Sequence, residues 1–456
     1  MDEVPCWRPG DRSNAIVEQA RGNIDKIRKR DVELRVVDRR GQPVANSLIR
    51  IVQTAHAFPF GDQLQPLDGM FRCDEHDTDR GRYWKLRFTE ALNAANALCY
   101  WTERPRNDCP KTEDRQGFPR LEGFHYCVDW AASQGLIVKG HPLFWSIPKA
   151  VPEWVKRYDC DTQMKLLEVR IRGLVSSVRG RVQIWDVINE PLWEPALRNL
   201  PNRRWPHLEA IDQIADYVVA VLRWARDEDP DACYILNDYG LQADALGGPP
   251  VAADGTKVTA ALQRERLLAL VDCLFERGAP PNAIGLQSHT GGWIEPAAQM
   301  AVYDQLATAG LPLHITEFSA STSRLEDQGG LSQQEIERIQ ADYAADYLTC
   351  AFGHAAVEGF FFWGFMGQAI RWGRGAGHEP GPLFHRVRDL IHNEWMTREM
   401  LTTDGDGCAR FRGFLGDYVL RYGIRAEVHD GVRFRVGRQE AMPLTITAPL
   451  AGPSGA

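Results

Sequence analysis

The chain has 456 residues, of which 44% are apolar, 25% charged and 10% aromatic, with 14 tryptophans. This composition excludes disordered and fibrous proteins and predicts a globular protein with a sizeable core. Fifty-three Lys and Arg stand against 61 Asp and Glu, so the formal charge of −8 provides no basic surface for nucleic acid or for anionic lipid. We therefore expect a neutral ligand, with no nucleic-acid or membrane partner.

Targeting and cysteine patterns bear on the compartment. No apolar run approaches the ~20 residues of a membrane span, and residues 1–30 contain no apolar core of a signal peptide. The ten cysteines are irregularly spaced and include no CxxC pair, which favours reduced thiols over a disulfide framework. We expect a cytoplasmic monomer as the sequence is written, or a secreted protein if a leader has been removed.

The two ends of the chain predict a small β subdomain. After an N-terminal segment at 1–30, residues 31–55 alternate in polarity around Gly41-Gln42-Pro43, which indicates a β-hairpin. Residues 401–450 again resemble short strands, and we expect them to pair with 31–55; residues 451–456 form a predicted disordered tail. The Asp404-Gly-Asp406-Gly segment lacks the twelfth-position Glu of a calcium loop and predicts a simple turn.

Between these ends, eight short β-rich runs alternate with helical stretches. They are HAFPFG (56–61), NAANAL (93–98), GLIVKGH (135–141), VQIWDVINE (182–190), ACYILND (232–238), AIGLQS (283–288), LPLHITE (311–317) and GFFFWG (359–364). Strand–helix alternation at this spacing favours a parallel sheet with crossover helices, and eight runs is the count of a closed barrel. The predicted fold class is α/β, a (β/α)₈ TIM barrel over 56–400 with the β subdomain appended.

Two glutamates end predicted barrel strands. Glu190 closes VQIWDVINE before Pro191, which cannot continue a central strand, and Glu317 closes an apolar run before a Ser/Thr-rich loop. Both acids therefore fall on the C-terminal rim, where barrel enzymes hold their chemistry. Two carboxylates at that rim are what hydrolysis of a glycosidic bond requires, one to protonate the leaving oxygen and one to attack or stabilise the sugar carbon.

The segments WDVINEP and HITEF resemble the acid/base and nucleophile motifs of glycoside hydrolase family 10, the endo-β-1,4-xylanase family. KGHPLFW (139–145), LNDYGL (236–241), IGLQSH (284–289) and FFWGF (361–365) resemble further motifs of that family in the same order, over roughly residues 55 to 400. The resemblance implies a retaining mechanism with Glu190 as acid/base and Glu317 as nucleophile, without a metal or cofactor. The chain also contains no HxH or HExxH spacing that would indicate a metal site.

The resemblance also implies residues that bind the sugar. Asn189 would donate to the 2-hydroxyl, His289 would orient the nucleophile, His141 would contact the sugar at the cleavage site, and Gln287 would bond to the nucleophile or the sugar. Trp145 and Trp363, with Trp293 or Trp372 as further candidates, would form apolar platforms, whereas Trp185 is expected to pack in the core. Asn96 and Lys139 complete the predicted set of substrate-binding residues.

The resemblance weakens at the second strand. The family pattern Glu-Asn-x-Met-Lys-Trp corresponds to residues 95–100, where only Asn96 remains. Partners for the sugar on the non-reducing side are therefore lost, and xylan is the default substrate rather than a deduced one. The alternatives are another β-linked oligosaccharide, a glycoside with a non-sugar aglycone, a carbohydrate-binding protein without catalysis, and a barrel hydrolase that uses a metal.

Overall fold

The computed structural model describes residues 11–102, 112–147, 150–192, 210–244, 248–252, 254–289, 293–372, 378–422, 431–439 and 441–447. The predicted disordered tail at 451–456 lies outside these residues. The strands, in chain order, are β1 (Lys29–Val37), β2 (Leu48–His56), β3 (Phe60–Gln63), β4 (Ala94–Leu98), β5 (Glu113–Arg115), β6 (Phe118–Pro119), β7 (Ile137–His141), β8 (Phe144–Trp145), β9 (Ile184–Asn189), β10 (Cys233–Asp238), β11 (Ala283–Leu286), β12 (Leu313–Phe318), β13 (Val357–Phe362), β14 (Ile370–Trp372), β15 (His378–Pro380), β16 (Arg398–Thr402), β17 (Cys408–Phe414), β18 (Gly416–Tyr422), β19 (Val432–Val436) and β20 (Leu444–Thr447).

The helices, in chain order, are α1 (Asp11–Arg28), α2 (Gln65–Arg72), α3 (Asp79–Ala91), α4 (Glu122–Ser133), α5 (Cys160–Ser177), α6 (Ile211–Glu228), α7 (Ala260–Glu276), α8 (Pro296–Ala307), α9 (Ser323–Gln328), α10 (Gln333–Phe352), α11 (Phe365–Ala369) and α12 (Pro382–Asp389). A 3₁₀ turn spans Val155–Arg157 and a π-helical turn spans Leu390–Glu394. Several helices begin at a side-chain cap. Ser332 and Glu335 form a capping box at the start of α10, and Thr259 caps α7.

Eight parallel strands close into a barrel, which confirms the predicted fold class. The hydrogen-bonded order is β10-β11-β12-β13-β3-β4-β7-β9, and β9 pairs with β10 to complete the ring. A cluster of buried apolar side chains, Ala94, Ile184, Ile235, Ala283 and the aromatic Phe361, packs in its interior. Because all eight strands run the same way, their carboxyl ends form a single rim, and the loops that follow them surround it.

The first barrel strand starts later than predicted. The run 56–61 overlaps β3 only at its end, because residues 48–56 form β2, which belongs to the β subdomain. Trp185 is fully buried, in agreement with its predicted packing role. A Cβ at position 140 would collide with its ring, so Gly140 on the neighbouring strand makes room for it.

The β subdomain is a sandwich of two sheets, with strand orders β17-β1-β20 and β16-β2-β18-β19. Apolar side chains from both sheets share one core, which includes Val32 and Leu34 from β1, Ile49 and Ile51 from β2 and Leu420 from β18. Strands from the two ends of the chain pair directly, since β1 is antiparallel to β17 and β2 to β16 and β18. The pairing begins at Arg398, so the sandwich includes residues just before the predicted boundary at 400.

The predicted hairpin over 31–55 is wrong in its pairing. The turn does form, because the amide of Asp38 bonds to the carbonyl of Gln42 at 2.8 Å and the amide of Val44 to that of Val36 at 2.9 Å. After Asn46, whose backbone is in the left-handed conformation, the chain crosses to the other sheet. Strands β1 and β2 therefore face each other across the core. Alternating polarity predicts two strands with one buried face each, but it does not distinguish neighbours in one sheet from partners in a sandwich.

Helix α1 lies in the segment that the sequence left without structure. It packs against α8 and α10 on the outside of the barrel and leads directly into β1. Its last residue, Arg28, is buried and donates to the carbonyls of Phe352 and His354 at 2.8 and 2.9 Å, at the C-terminal end of α10. A cation at this position compensates the unpaired carbonyls of the helix end, which ties the N-terminal helix to the barrel.

Membrane spans and disulfide bonds were considered for the described residues. None of the helices described is both long enough and apolar enough to cross a bilayer. The cysteines in the described residues are free of disulfide bonds.

Candidate active site

Glu190 and Glu317 both lie at the carboxyl rim of the barrel. Glu190 directly follows β9, and Glu317 is the penultimate residue of β12. Both side chains are largely buried, with 8% and 4% of the residue surface exposed. Glu190 has a φ of +57°, a left-handed conformation that is unfavourable for a residue with a Cβ, and its amide is fixed by the carbonyl of Asn237 at 2.7 Å.

Glu190 is held by neutral donors. The indole Nε1 of Trp145 donates to Oε2 at 2.8 Å, and the side-chain amides of Gln287 and Asn189 donate to Oε1 at 2.9 and 3.1 Å. Asn189 lies beside Glu190 as predicted, whereas Gln287, which was predicted to bond to Glu317 or to the sugar, donates to Glu190. Trp145 was predicted as a sugar platform, and the structure adds a second task for it, because its nitrogen fixes one carboxylate oxygen.

Glu317 has ionisable neighbours instead. Nε2 of His289 lies 2.9 Å from Oε2, and Nε2 of His141 lies 3.8 Å from Oε1. Burial raises the pKa of Glu317, but the charges of His141 and His289 and the hydrogen bond from His289 outweigh it and hold the pKa below its usual value. Burial likewise lowers the pKa of His289, but Glu317 reverses this and raises it overall. The pair therefore favours an ionised carboxylate next to an imidazolium.

A chain of amides joins the two carboxylates. Asn237, near the end of β10, donates through Nδ2 to Oε1 of Glu317 at 3.0 Å and to Oδ1 of Asn189 at 2.8 Å. Thr316 donates to Oδ1 of Asn237 at 2.5 Å, which fixes the orientation of that amide. Since Asn189 in turn bonds to Glu190, only two side chains separate the glutamates along this path. Two residues 127 positions apart in the sequence thus share one site.

A second network lies below Glu317, inside the barrel. Oδ2 of Asp186 lies 2.5 Å from Nζ of Lys139 and 2.6 Å from Nδ1 of His141. Burial raises the pKa of Asp186, but the Lys139 charge and the contacts of His141 keep it below its usual value. The ligand atoms of His141, Asp186 and Glu317 lie within 4.8 Å of one another, a spacing that could hold a metal ion. The Lys139 ammonium on Asp186 opposes a cation there, so the donor set fits an ion-pair network better than a metal.

Two predicted substrate contacts need correction. Lys139 and Asn96 have no exposed surface. Both lie within their strands rather than at the ends, Lys139 two residues before the end of β7 and Asn96 in the middle of β4. They are adjacent in the sheet and face the barrel interior below the rim. The structure thus places both side chains below the rim, and it does not support the predicted contact of either with a sugar.

Aromatic rings surround the carboxylates. Trp363 is partly exposed, and its ring lies edge-on to His141 and His289 at centroid distances of 5.3 and 6.4 Å. Tyr100 lies against His141 and Trp145 at 5.5 and 5.8 Å. Trp293 and Trp372 are also partly exposed, the first stacked on Tyr343 and the second near Tyr83 and His378. Contacts of these tryptophans with substrate remain predictions.

Three residues of the site were not singled out from the sequence, namely Asn237, Asp186 and Thr316. All three are buried polar residues in β-rich runs; Asn237 and Thr316 lie within two residues of the ends of β10 and β12, whereas Asp186 lies in the middle of β9. A buried polar side chain needs a partner, and near the rim that partner is a catalytic group or its support. A polar residue within an apolar run, as in LNDYGL and WDVINE, could therefore have been used to predict these residues as part of the site.

A family model described as Glycosyl hydrolase family 10 matches residues 108–386, which is more than half of the chain. Anti-sigma-I factor RsgI6 of Acetivibrio thermocellus is 27% identical over 412 residues, 88% of this chain and 46% of that protein. Endo-1,4-beta-xylanase 1 of Arabidopsis thaliana is 25% identical over 445 residues, 96% of this chain and 41% of that protein. The chain thus spans less than half the length of these two relatives.

Among solved structures, xylanase 10B from Thermotoga petrophila RKU-1 in complex with xylobiose is similar to this chain. The TM-score is 0.52 at 18% identity, over 74% of this chain and 95% of that one. Sequence identity at this level supports the shared barrel fold, but it does not support a shared substrate or shared residue roles.

Proposed function

The chain belongs to glycosyl hydrolase family 10, and from that premise we propose that it hydrolyses β-glycosidic bonds with retention of configuration, using Glu190 as acid/base and Glu317 as nucleophile. The proposed substrate is a β-1,4-linked xylan or xylo-oligosaccharide. No metal or cofactor is required for this chemistry, because the two carboxylates supply both the nucleophile and the proton.

The observation that supports this assignment is the position of Glu317, which lies against two imidazoles and is connected to Glu190 through Asn237 and Asn189. Glu317 faces two imidazoles, which favour its charged form, and a carboxylate that stays ionised is suited to attack a sugar carbon. Glu190 accepts hydrogen bonds from the neutral groups of Trp145, Asn189 and Gln287, and we assign it the transfer of the proton.

In the first step, a carboxylate oxygen of Glu317 attacks the anomeric carbon and the bond from that carbon to the leaving oxygen breaks. Glu190 transfers its proton to the leaving oxygen, so the departing group leaves as a neutral alcohol. The product is a glycosyl ester on Glu317. We assign Asn189 to the sugar 2-hydroxyl, because its amide bonds to Glu190 and, through Asn237, reaches the nucleophile.

In the second step, ionised Glu190 takes a proton from water, whose oxygen attacks the anomeric carbon. The ester bond breaks and Glu317 leaves as a carboxylate. The donors on that carboxylate, from Asn237 and His289, stabilise the charge that develops as it leaves. Two successive inversions restore the original β configuration.

The choice of xylan is supported by relatives rather than by the site itself. One relative is named an endo-1,4-beta-xylanase, and a structure with the same fold is a complex with xylobiose. Of the second-strand motif that would bind the sugar on the non-reducing side, only Asn96 remains, and it is buried. The substrate, and whether it is cleaved internally or from its end, are therefore to be determined by measuring hydrolysis directly.

A second candidate is a carbohydrate-binding protein without turnover. It is favoured by one observation, that a relative covering 88% of this chain is named an anti-sigma factor. The connected pair of glutamates argues for hydrolysis, because a binding protein has no use for an ionised nucleophile next to an acid/base. Binding of xylo-oligosaccharides by calorimetry, with no product formed over days, would support this candidate.

The test is hydrolysis of β-1,4-xylan, xylo-oligosaccharides, β-glucan and aryl β-glycosides, with the anomer of the first product identified by NMR. We expect β-anomer from a xylan-derived substrate. Glu317→Gln should reduce kcat by about 10⁴-fold or more, while Glu394→Gln, which removes a surface carboxylate paired with Arg386, should leave it unchanged. An α-anomer as the first product would refute retention.

A further inference from the structure

Ser288 has an unusual backbone conformation at the rim. It follows β11 and has a φ of +62°, the left-handed region that residues with a Cβ seldom adopt. Such a conformation costs about 1 kcal/mol or more and persists only where the surroundings enforce it. The neighbours in the chain are Gln287 and His289, which contact Glu190 and Glu317 respectively.

The Ser288 side chain is held by three hydrogen bonds. Its hydroxyl accepts from Nε2 of Gln242 at 2.7 Å and from the hydroxyl of Tyr347 at 3.0 Å, and it donates to the carbonyl of Leu286 at 3.3 Å. Ser288, Gln242 and Tyr347 are buried, with 2%, 6% and 2% of their surface exposed. The hydroxyl therefore faces the protein, and Ser288 does not act by contacting substrate.

The conformation of Ser288 determines where its two neighbours point. In a strand that simply continued, residues 287 and 289 would project in the same direction. Here Gln287 reaches past β10 to the acid/base at the end of β9, whereas His289 reaches the nucleophile on β12, the neighbour on the other side. The left-handed turn between them makes both contacts possible from one short loop.

Tyr347 connects this turn to the nucleophile strand as well. Its ring stacks on Phe318 with a centroid distance of 4.3 Å, and Phe318 directly follows Glu317. One buried tyrosine on α10 thus supports the backbone of the nucleophile and, through its hydroxyl, the loop that supplies His289.

We propose that Ser288 is a positioning residue, whose hydroxyl, held by Gln242 and Tyr347, fixes the turn that brings Gln287 onto the acid/base and His289 onto the nucleophile. The kinetic consequences rest on the proposed function, but the contact between His289 and Glu317 can be measured without turnover. Loss of the hydroxyl should loosen both contacts together while leaving the four residues of the contacts chemically intact.

The experiment compares Ser288→Ala, Ser288→Gly and Tyr347→Phe with Ser177→Ala as control. Ser177 also has a bonded hydroxyl, to His125 at 3.0 Å, but it lies on the outer helix α5. We expect Ser288→Ala and Ser288→Gly each to lower kcat at least ten-fold, and Tyr347→Phe to lower it less. In all three variants, the fall of kcat/KM on the acidic side of its pH profile should move to higher pH, because Glu317 loses part of its contact with His289. The pKa of His289, followed by NMR of its ring, should fall for the same reason.

The Ser288→Gly variant separates the role of the hydroxyl from the role of the left-handed backbone. Because glycine adopts the left-handed conformation without strain, full activity in Ser288→Gly would show that the hydroxyl is dispensable and would overturn the proposal. If Ser288→Ala does not fold, as judged by its thermal transition, Tyr347→Phe decides through the same two readouts. An unchanged acid limb and unchanged His289 pKa in Tyr347→Phe would also overturn it.

The two proposals fail differently. If the native protein hydrolyses no glycoside but Ser288→Ala still lowers the His289 pKa, the proposed function is wrong and the positioning role holds. If the native protein is active and Ser288→Ala changes neither kcat nor the His289 pKa, the positioning role alone is wrong.

Discussion

The indole nitrogen of Trp145 lies 2.8 Å from Oε2 of Glu190, so a residue that was predicted to stack under the sugar also fixes the carboxylate that we propose as the acid/base. Trp145→Phe would retain most of the ring and remove only the donor. Because a hydrogen bond to a charged group contributes about 1.5–3 kcal/mol, we expect kcat/KM on an unactivated xylo-oligosaccharide to fall by about 10- to 100-fold. Steady-state kinetics measure this directly.

The matched control is Trp101→Phe. The Trp101 indole donates to Oε2 of Glu113 at 2.9 Å, an equivalent bond to a carboxylate that takes no part in the proposed chemistry. Its kcat/KM should stay within about two-fold of the native value. Equal losses in both variants would mean that general loosening of the barrel, rather than the contact with Glu190, explains the result.

His289 determines the pH at which the nucleophile becomes ionised. The hydrogen bond and charge of His289 lower the pKa of Glu317, so His289→Ala should raise that pKa. Activity requires the ionised form and is lost as pH falls through this pKa. The acid limb of kcat/KM should therefore begin at a higher pH in the variant. His385→Ala, which removes an exposed histidine, should leave the limb in place; a shift toward lower pH in His289→Ala would contradict the account.

Lys139 stabilises the barrel interior. Its ammonium is fully buried 2.5 Å from Oδ2 of Asp186, and Lys139→Met would leave that carboxylate without its cation. Breaking a buried ion pair in this way costs about 3–5 kcal/mol of unfolding free energy, which denaturant titration would detect. Lys156→Met removes a cation from an exposed pair with Glu153 and should cost no more than about 1 kcal/mol. A cost below about 1 kcal/mol for Lys139→Met would refute the structural role assigned to it.

Asp62 makes stability depend on pH. Its carboxylate, at the end of β3, accepts from the amides of Gly364 and Met366 at 2.9 and 3.0 Å, yet burial raises its pKa to about 7. An acid with a raised folded-state pKa stabilises the fold most at low pH, and that contribution is lost as pH rises through about 7. The Asp62→Asn variant lacks this titration.

The free-energy difference between native protein and Asp62→Asn should therefore shift in favour of the variant as pH rises from 5 to about 7, by up to about 3 kcal/mol, and then level off toward pH 8. Urea titrations of both proteins at each pH measure it. A difference that is constant with pH, or that shifts toward the native protein, would show that Asp62 is ionised in the fold throughout this range.

The barrel and the two glutamates were predictable because their signals are local. An apolar run that ends at Glu190 before Pro191, or at Glu317 before a polar loop, indicates a strand end from a few residues. The rule that parallel strands share one rim then brings the two acids together. No long-range pairing had to be known.

What the sequence did not predict depends on contacts between distant segments. A local pattern cannot show that β1 and β2 lie in opposite sheets, because β2 pairs with a strand about 350 residues away and β1 with one about 380 residues away. Similarly, whether Lys139 of the KGH motif faces the cleft or the interior depends on where β7 ends relative to β9. Helix α1 was missed because a polar segment with few apolar residues gave no clear helical period, and its stability comes from packing on α8 and α10.

We propose above that Glu317 forms a covalent bond to the sugar while Glu190 donates and then accepts the proton. The most direct test is to inactivate the protein with an activated 2-deoxy-2-fluoro-β-xylobioside, which slows ester hydrolysis, and to locate the label by peptide mass spectrometry. We expect a stoichiometric covalent adduct on Glu317. A label on Glu190, or steady hydrolysis of the probe's parent glycoside with inversion and no adduct, would contradict it.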